Sequence, residues 1–152
     1  MNNHEKFMRI ALTEAEKAGS EGEVPVGAIA ILDGDVIARD HNRREQRGSP
    51  TAHAEVLVIE SAAQILNTWR LDRIDIYSTL EPCSMCAGAM VQARLKRLVF
   101  GASDPKAGAA GSVIELLRHP DLNHHVKVIQ DTLANECAQL MTDFFSRRRK
   151  AL

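Results

Sequence analysis

The sequence predicts an α/β protein, a three-layer α/β/α sandwich built on a mixed five-stranded sheet. Three observations predict it. Apolar residues recur at helical spacing near the start, a two-residue turn then joins two apolar, β-branched stretches, and strands and helices alternate from there to the end. That alternation calls for helices on both faces of a sheet, and the opening hairpin supplies an antiparallel pair. With 152 residues and neither repeats nor a linker-like stretch, the chain reads as one domain, 1–152, long enough to close a hydrophobic core.

The elements follow in order. Glu5 to Ala18 is a helix, with Phe7, Ile10, Ala11, Glu14, Ala15 and Ala18 at helical spacing and Gly19 as its stop. Val26 to Leu32 is a buried strand, Asp33-Gly34 a hairpin turn, and Val36 to Asp40 the returning strand. Asn42 to Pro50 is polar and basic, and reads as a loop. Thr51 is placed to cap a helix from about Ala52 to Leu66. Ile74 to Thr79 is a short strand, and Pro82 opens a third helix. Leu98 to Gly101 is strand-like, Gly108 to Ser112 a flexible loop, and Ser112 to Leu117 a brief helix. Val126 to Ile129 is the last strand. Leu133 to Arg149 is the final helix, with Leu133, Cys137, Leu140, Met141 and Phe144 on one face.

Composition excludes some classes. No apolar run approaches the roughly 20 residues that span a bilayer, and Met1 to Met8 lacks the apolar centre of a secretory signal. The expected location is the cytoplasm. Three cysteines, two of them three residues apart, point to a metal or redox site and away from a disulfide framework. The net charge of −1 gives no sign of a polyanionic partner, but basic residues cluster at Arg43, Arg44 and Arg47, at Arg94, Lys96 and Arg97, and at Arg147 to Lys150. One such cluster is ordinarily a solvated face. Three near the chemistry make a phosphate-binding surface.

The chemistry gathers in two segments. Pro82-Cys83-Ser84-Met85-Cys86 puts two thiols on one side of a helix start, where unpaired amides favour thiolate. His53-Ala54-Glu55 opens another helix thirty residues upstream. A catalytic zinc takes three protein ligands and keeps one position open. His53, Cys83 and Cys86 make that set. Glu55 diverges from His53 at i+2 and is left to move protons beside the ion. A closed structural site needs a fourth ligand, to be sought among Cys137, His41, His119, His124 and His125, none of which has regular spacing to the first three. Cys137 belongs instead to the apolar face of the last helix.

His-x-Glu followed by Pro-Cys-x-x-Cys is the zinc deaminase signature. Over nearly the whole chain the sequence resembles the bacterial tRNA-acting branch of the cytidine/deoxycytidylate deaminase superfamily. The resemblance is carried by Glu23-Val24-Pro25-Val26-Gly27-Ala28, His41-Asn42-Arg43, Thr51 to Glu55, Thr79 to Ala89, Val99 to Ala102, Gly108 to Ser112 and Asp143-Phe144-Phe145 followed by arginines. It implies a cytidine deaminase-like fold, one Zn²⁺ per subunit, a homodimer, and conversion of adenosine to inosine at the wobble position of a tRNA anticodon. It also implies that Asn42 and the backbone of Ala54 hold a flipped base against Val26, and that Asp104 and Lys106 meet RNA, although Ser103 and Pro105 depart from the family's loop. Phe145 can stack on a base, pack in a dimer contact or close the core margin, and Arg43, Arg44, Arg147, Arg148 and Arg149 would grip flanking phosphates. Other readings of the same residues are a deaminase of free guanine or cytosine, a noncatalytic zinc module that binds RNA, and a thiol redox protein.

Overall fold

The computed structural model of the chain describes residues 2–151. Its elements run α1 (Asn3–Ser20), β1 (Gly27–Leu32), β2 (Asp35–His41), α2 (Arg44–Arg47), α3 (Ala54–Leu66), β3 (Ile74–Leu80), α4 (Ser84–Gln92), β4 (Arg97–Ala102), β5 (Lys127–Ile129) and α5 (Ala134–Ala151). The five strands lie in the order β2-β1-β3-β4-β5. β1 is antiparallel to β2 and β3, whereas β3, β4 and β5 are parallel. The mixed sheet read from the sequence is therefore present.

Alternation along the strands builds the layers. Ala28, Ala30, Ile76, Leu98 and Phe100 point to one face, where they pack with Val58 and Ala62 of α3 and Met90 of α4. Ile29, Ile31, Tyr77 and Val99, one residue out of step, point to the other face and meet Met8, Ala11 and Leu12 of α1 and Cys137 of α5. A side-chain period of two sends neighbours to opposite sides, so one strand serves both cores. No helix among the described residues is long and apolar enough to cross a membrane.

The hairpin turn has the expected geometry, with Asp33 at φ 50 and Gly34 at φ 85. Both central residues are left-handed, as a tight hairpin matched to strand twist requires. The α1 helix passes Gly19 to end at Ser20, and Asn2 caps its start by accepting from the Glu5 amide at 2.8 Å. Leu133, at φ 54, lies just before α5.

Three local expectations fail, two of them for a long-range reason. The 42–50 loop contains a one-turn helix, α2, because the distant Glu23 carboxylate accepts the amides of Glu45 (3.0 Å) and Gln46 (2.7 Å) at its start. Thr51 does not cap α3: its hydroxyl pairs with Ser49, and the helix starts two residues later with His53 in the cap position. Residues 112–117 form no helix. Glu81 takes the amides of Ala110 and Ser112, and Ala110 bridges to Glu115 instead.

Candidate metal centre and substrate cavity

His53 and Cys83 occupy the N-cap positions of α3 and α4, each in extended backbone, and neither spends its side chain on capping. They face one another. His53 Nδ1 lies 3.6 Å from Cys83 Sγ and 3.5 Å from Cys86 Sγ. Ligand distances of about 2.3 Å to sulfur and about 2.0 Å to nitrogen, taken at a tetrahedral angle, separate a nitrogen from a sulfur by roughly 3.5 Å. The two observed edges are those of such a tetrahedron, so this donor set fits a four-coordinate metal ion. Among the described residues no fourth His, Cys, Asp or Glu joins the group.

The rival fourth ligands other than His125, which is exposed, are engaged elsewhere. His41 is held between Glu14 (2.9 Å) and Glu21 (3.2 Å), His124 lies 2.7 Å from the Leu95 carbonyl, and the Asp121 amide donates to His119 Nδ1. Cys137 is buried against Val99 and Ala102 on the opposite face of the sheet.

Amides from both helix starts converge on the sulfurs. The Cys86 thiol and amide donate to Cys83 Sγ, and the Cys83 thiol is pushed down to about 3 against the opposing effect of burial. The same hydrogen bond, seen from its donor, pushes Cys86 up, and burial adds to it; the Val56 amide at the start of α3 works the other way. The hydrogen bond to Cys83 raises His53. A dication in this corner would replace the shared proton as counter-charge to both sulfurs.

Glu55 is only 4% exposed. Burial pushes its carboxyl up to about 7, the Cys83 charge adds to that, and its own amide and His53 pull against it. A buried carboxyl poised near neutrality is suited to taking and returning a proton.

Beside the corner opens a cavity of about 220 Å³, lined by Val24, Val26, Asn42, Arg44, Ala54, Leu80, Glu81, Asp104 and Ala107 together with His53, Glu55 and Cys83. It lies where β3 ends and two helices begin, the usual place for ligands in such sheets. Asn42 is fixed from both ends of its amide, donating to the Val24 carbonyl at 3.2 Å and accepting from the Arg44 amide at 3.1 Å. Val26 and Ala54 line the cavity.

The basic clusters divide. Arg44 lines the cavity, and Arg148 joins it at a neighbouring hollow that also includes Val24 and Asn42. Arg43 is spent on Asp40 at 2.8 Å, and Lys106 contributes its amide to the Asp104 side chain. Arg147 lines a separate groove with Gly19 and Pro25, and Arg149 is exposed. Phe145 is 39% exposed and meets Phe144 edge to face. The cluster at residues 94–97 is not near the site: Arg97 opens β4 beside Asp75, at the other end of the strands from Cys83. A run of charges says nothing about which end of a strand it occupies.

Two glutamates stand inside the recognised motifs with roles the sequence does not disclose. Glu23 holds α2, and with it the segment after Asn42. Glu81, directly before Pro82-Cys83, accepts from the 104–112 loop; burial raises its carboxyl, but the donors from Ser112, Asp104 and Ala110 outweigh it and hold it below the usual range. An acidic residue at the end of an apolar strand was the available signal.

The family model of the MafB19-like deaminases matches residues 2–149. A tRNA-specific adenosine deaminase of Bacillus subtilis is 46% identical over 150 residues, covering 99% of this chain and 93% of its own. One of Agrobacterium fabrum is 45% identical over 143 residues, covering 94% of each. A solved structure from work on A-to-I editing by tRNA:A34 deaminases superposes with a TM-score of 0.86 at 45% identity, covering 89% of this chain and 98% of that one. The chain belongs to the MafB19-like deaminase family, in the branch of the tRNA-specific adenosine deaminases.

Proposed function

We propose that the protein hydrolyses adenosine to inosine at the wobble position of a tRNA anticodon, with one zinc ion held by His53, Cys83 and Cys86 and with Glu55 as proton carrier. One observation carries this reading. A corner with three donors and, among the described residues, no fourth opens into the same cavity as the buried Glu55 carboxyl. Zinc bound there supplies the acidity that makes water a nucleophile at neutral pH.

Glu55 takes the proton that water gives up as a C–O bond forms at C6 of the base. It returns that proton to N1, then carries the proton of the new C6 hydroxyl to the amino nitrogen, so that the C6–N bond breaks, the C6–O bond becomes a carbonyl and ammonia leaves. Adenosine and water are thus converted to inosine and ammonia, with no proton left over. Asn42 and the Ala54 backbone hold the base edge, while Val24, Val26 and Leu80 form apolar walls. A stacked base cannot enter such a cavity, which favours a loop whose bases splay. Arg44 lines the cavity and Arg148 a neighbouring hollow that shares Arg44, and from there they can meet flanking phosphates. The resemblance to tRNA deaminases supports a homodimer and a cytoplasmic site of action.

The test is turnover of a zinc-loaded protein on an anticodon stem-loop with adenosine at the first anticodon position, beside free adenosine, guanine and cytosine. Inosine in the stem-loop is expected, with little change in the free bases. Preferred turnover of guanine or cytosine would assign the site to a free-base deaminase. No turnover on any of them would leave a zinc module that only binds RNA.

A further inference from the structure

We propose that Glu81 is a positioning residue for the substrate. Its buried carboxylate sets the 104–112 loop in place, so that Asp104 and Ala107 form their part of the cavity wall before substrate arrives. The proposal rests on the function given above for the cavity.

The carboxylate is 2% exposed and bridges both ends of the loop. Oε1 accepts from the Asp104 amide at 3.0 Å and from the Ser112 hydroxyl; Oε2 accepts from the amides of Ala110 at 2.9 Å and Ser112 at 3.1 Å. All four partners are neutral groups of one loop. The anchor itself is stiff. The Glu81 amide donates to the Ala102 carbonyl and the Ala109 amide to the Pro82 carbonyl, both at 2.8 Å, tying the loop to the ends of β3 and β4.

Gly108 lies flat against the carboxylate, where a Cβ would collide with all its outer atoms. This glycine is required for space, and an alanine would push the carboxylate off its donors. With its amide held, Asp104 turns its own carboxylate to accept from the amides of Lys106 (3.0 Å) and Ala107 (3.2 Å). That turn carries Ala107 to the cavity wall. The chain of contacts runs from Glu81 through Asp104 to the cavity. It bypasses His53, Cys83 and Cys86.

A merely structural role and a positioning role therefore differ in what they disturb. Glu81→Gln keeps the shape but turns an amide donor toward loop donors. Measured on the full-length, zinc-loaded protein with the anticodon stem-loop, it should raise KM about tenfold, the loss of roughly one charge-assisted hydrogen bond. The change in kcat should be much smaller and zinc content unchanged. Amide exchange should quicken at Asp104, Ala110 and Ser112. Should Glu81→Gln not fold, the surface substitution Ser112→Ala removes one donor and should raise KM in the same direction with zinc retained. Added to Glu81→Gln, it should cost less than it does alone. Unchanged KM and unchanged exchange in both variants would overturn the proposal. Loss of zinc in step with activity would also overturn it, making Glu81 a support of the metal corner. The exchange measurement needs no substrate, so it decides on Glu81 even if the adenosine stem-loop proves not to be turned over.

Discussion

The start of α3 and the end of β3 each bury a glutamate beside the same cavity, and the two carboxyls are driven in opposite directions. Glu55 is 4% exposed and Glu81 2%, so depth does not separate them. Burial raises both. At Glu81 a hydroxyl and three amides outweigh it, and at Glu55 nothing comparable does. The difference lies in the donors. A carboxylate held charged by neutral donors fixes a loop, whereas one left near its neutral form is free to exchange a proton.

The contrast breaks if Glu55 is not the group that moves protons. Glu55→Gln keeps the shape of the side chain and should lower kcat about 10²- to 10⁴-fold, with zinc retained. Wild-type turnover of the stem-loop by this variant would contradict its role. Cys83→Ala should instead lower zinc affinity by more than about 100-fold, read by competition with a chelator. Full zinc occupancy at equal chelator concentration would remove Cys83 from the ligand set.

Stability against pH sharpens the same contrast. Glu55 has a folded pKa raised from 4.5 to about 7, so the metal-free fold binds a proton there that the unfolded chain releases. Between those values its contribution falls as pH rises. Glu55→Gln should therefore stabilise the metal-free protein at pH 8, by about 1–3 kcal/mol in urea unfolding. Glu81 runs the other way. Its folded pKa is lowered, so its contribution is complete above about 4.5 and is lost as pH falls through the folded value. Glu81→Gln should cost more stability at pH 7 than at pH 3. Equal costs at the two pH values would show that the carboxylate charge does not matter. The smallest effect is expected at the hollow beside the cavity. Arg148→Ala should flatten the dependence of stem-loop affinity on log salt by about 0.7–0.9, one phosphate contact, while Arg149→Ala should leave the slope unchanged.

The grouping of His53, Cys83 and Cys86 beside Glu55 was legible because all four sit at helix starts, where a spacing of two or three residues fixes relative direction. The layers were legible because Ile29, Ile31, Tyr77 and Val99 alternate with Ala28, Ala30, Ile76 and Leu98, and alternation determines the face. What stayed hidden depends on carboxylates reaching across the chain. Glu23 makes a helix at residues 44–47, and Glu81 prevents one at 112–117, by taking amides more than twenty residues away. Local propensity contains no trace of either. The C-terminal arginines look alike in sequence, yet steps of about 100° around α5 send Arg147 and Arg148 to different hollows.

X-ray absorption at the zinc edge of the loaded protein tests the open corner most directly. The spectrum should contain two sulfur neighbours at about 2.3 Å and a single imidazole nitrogen at about 2.0 Å. A third sulfur or a second imidazole would mean that the chain closes the site itself, leaving Glu55 no water to act on.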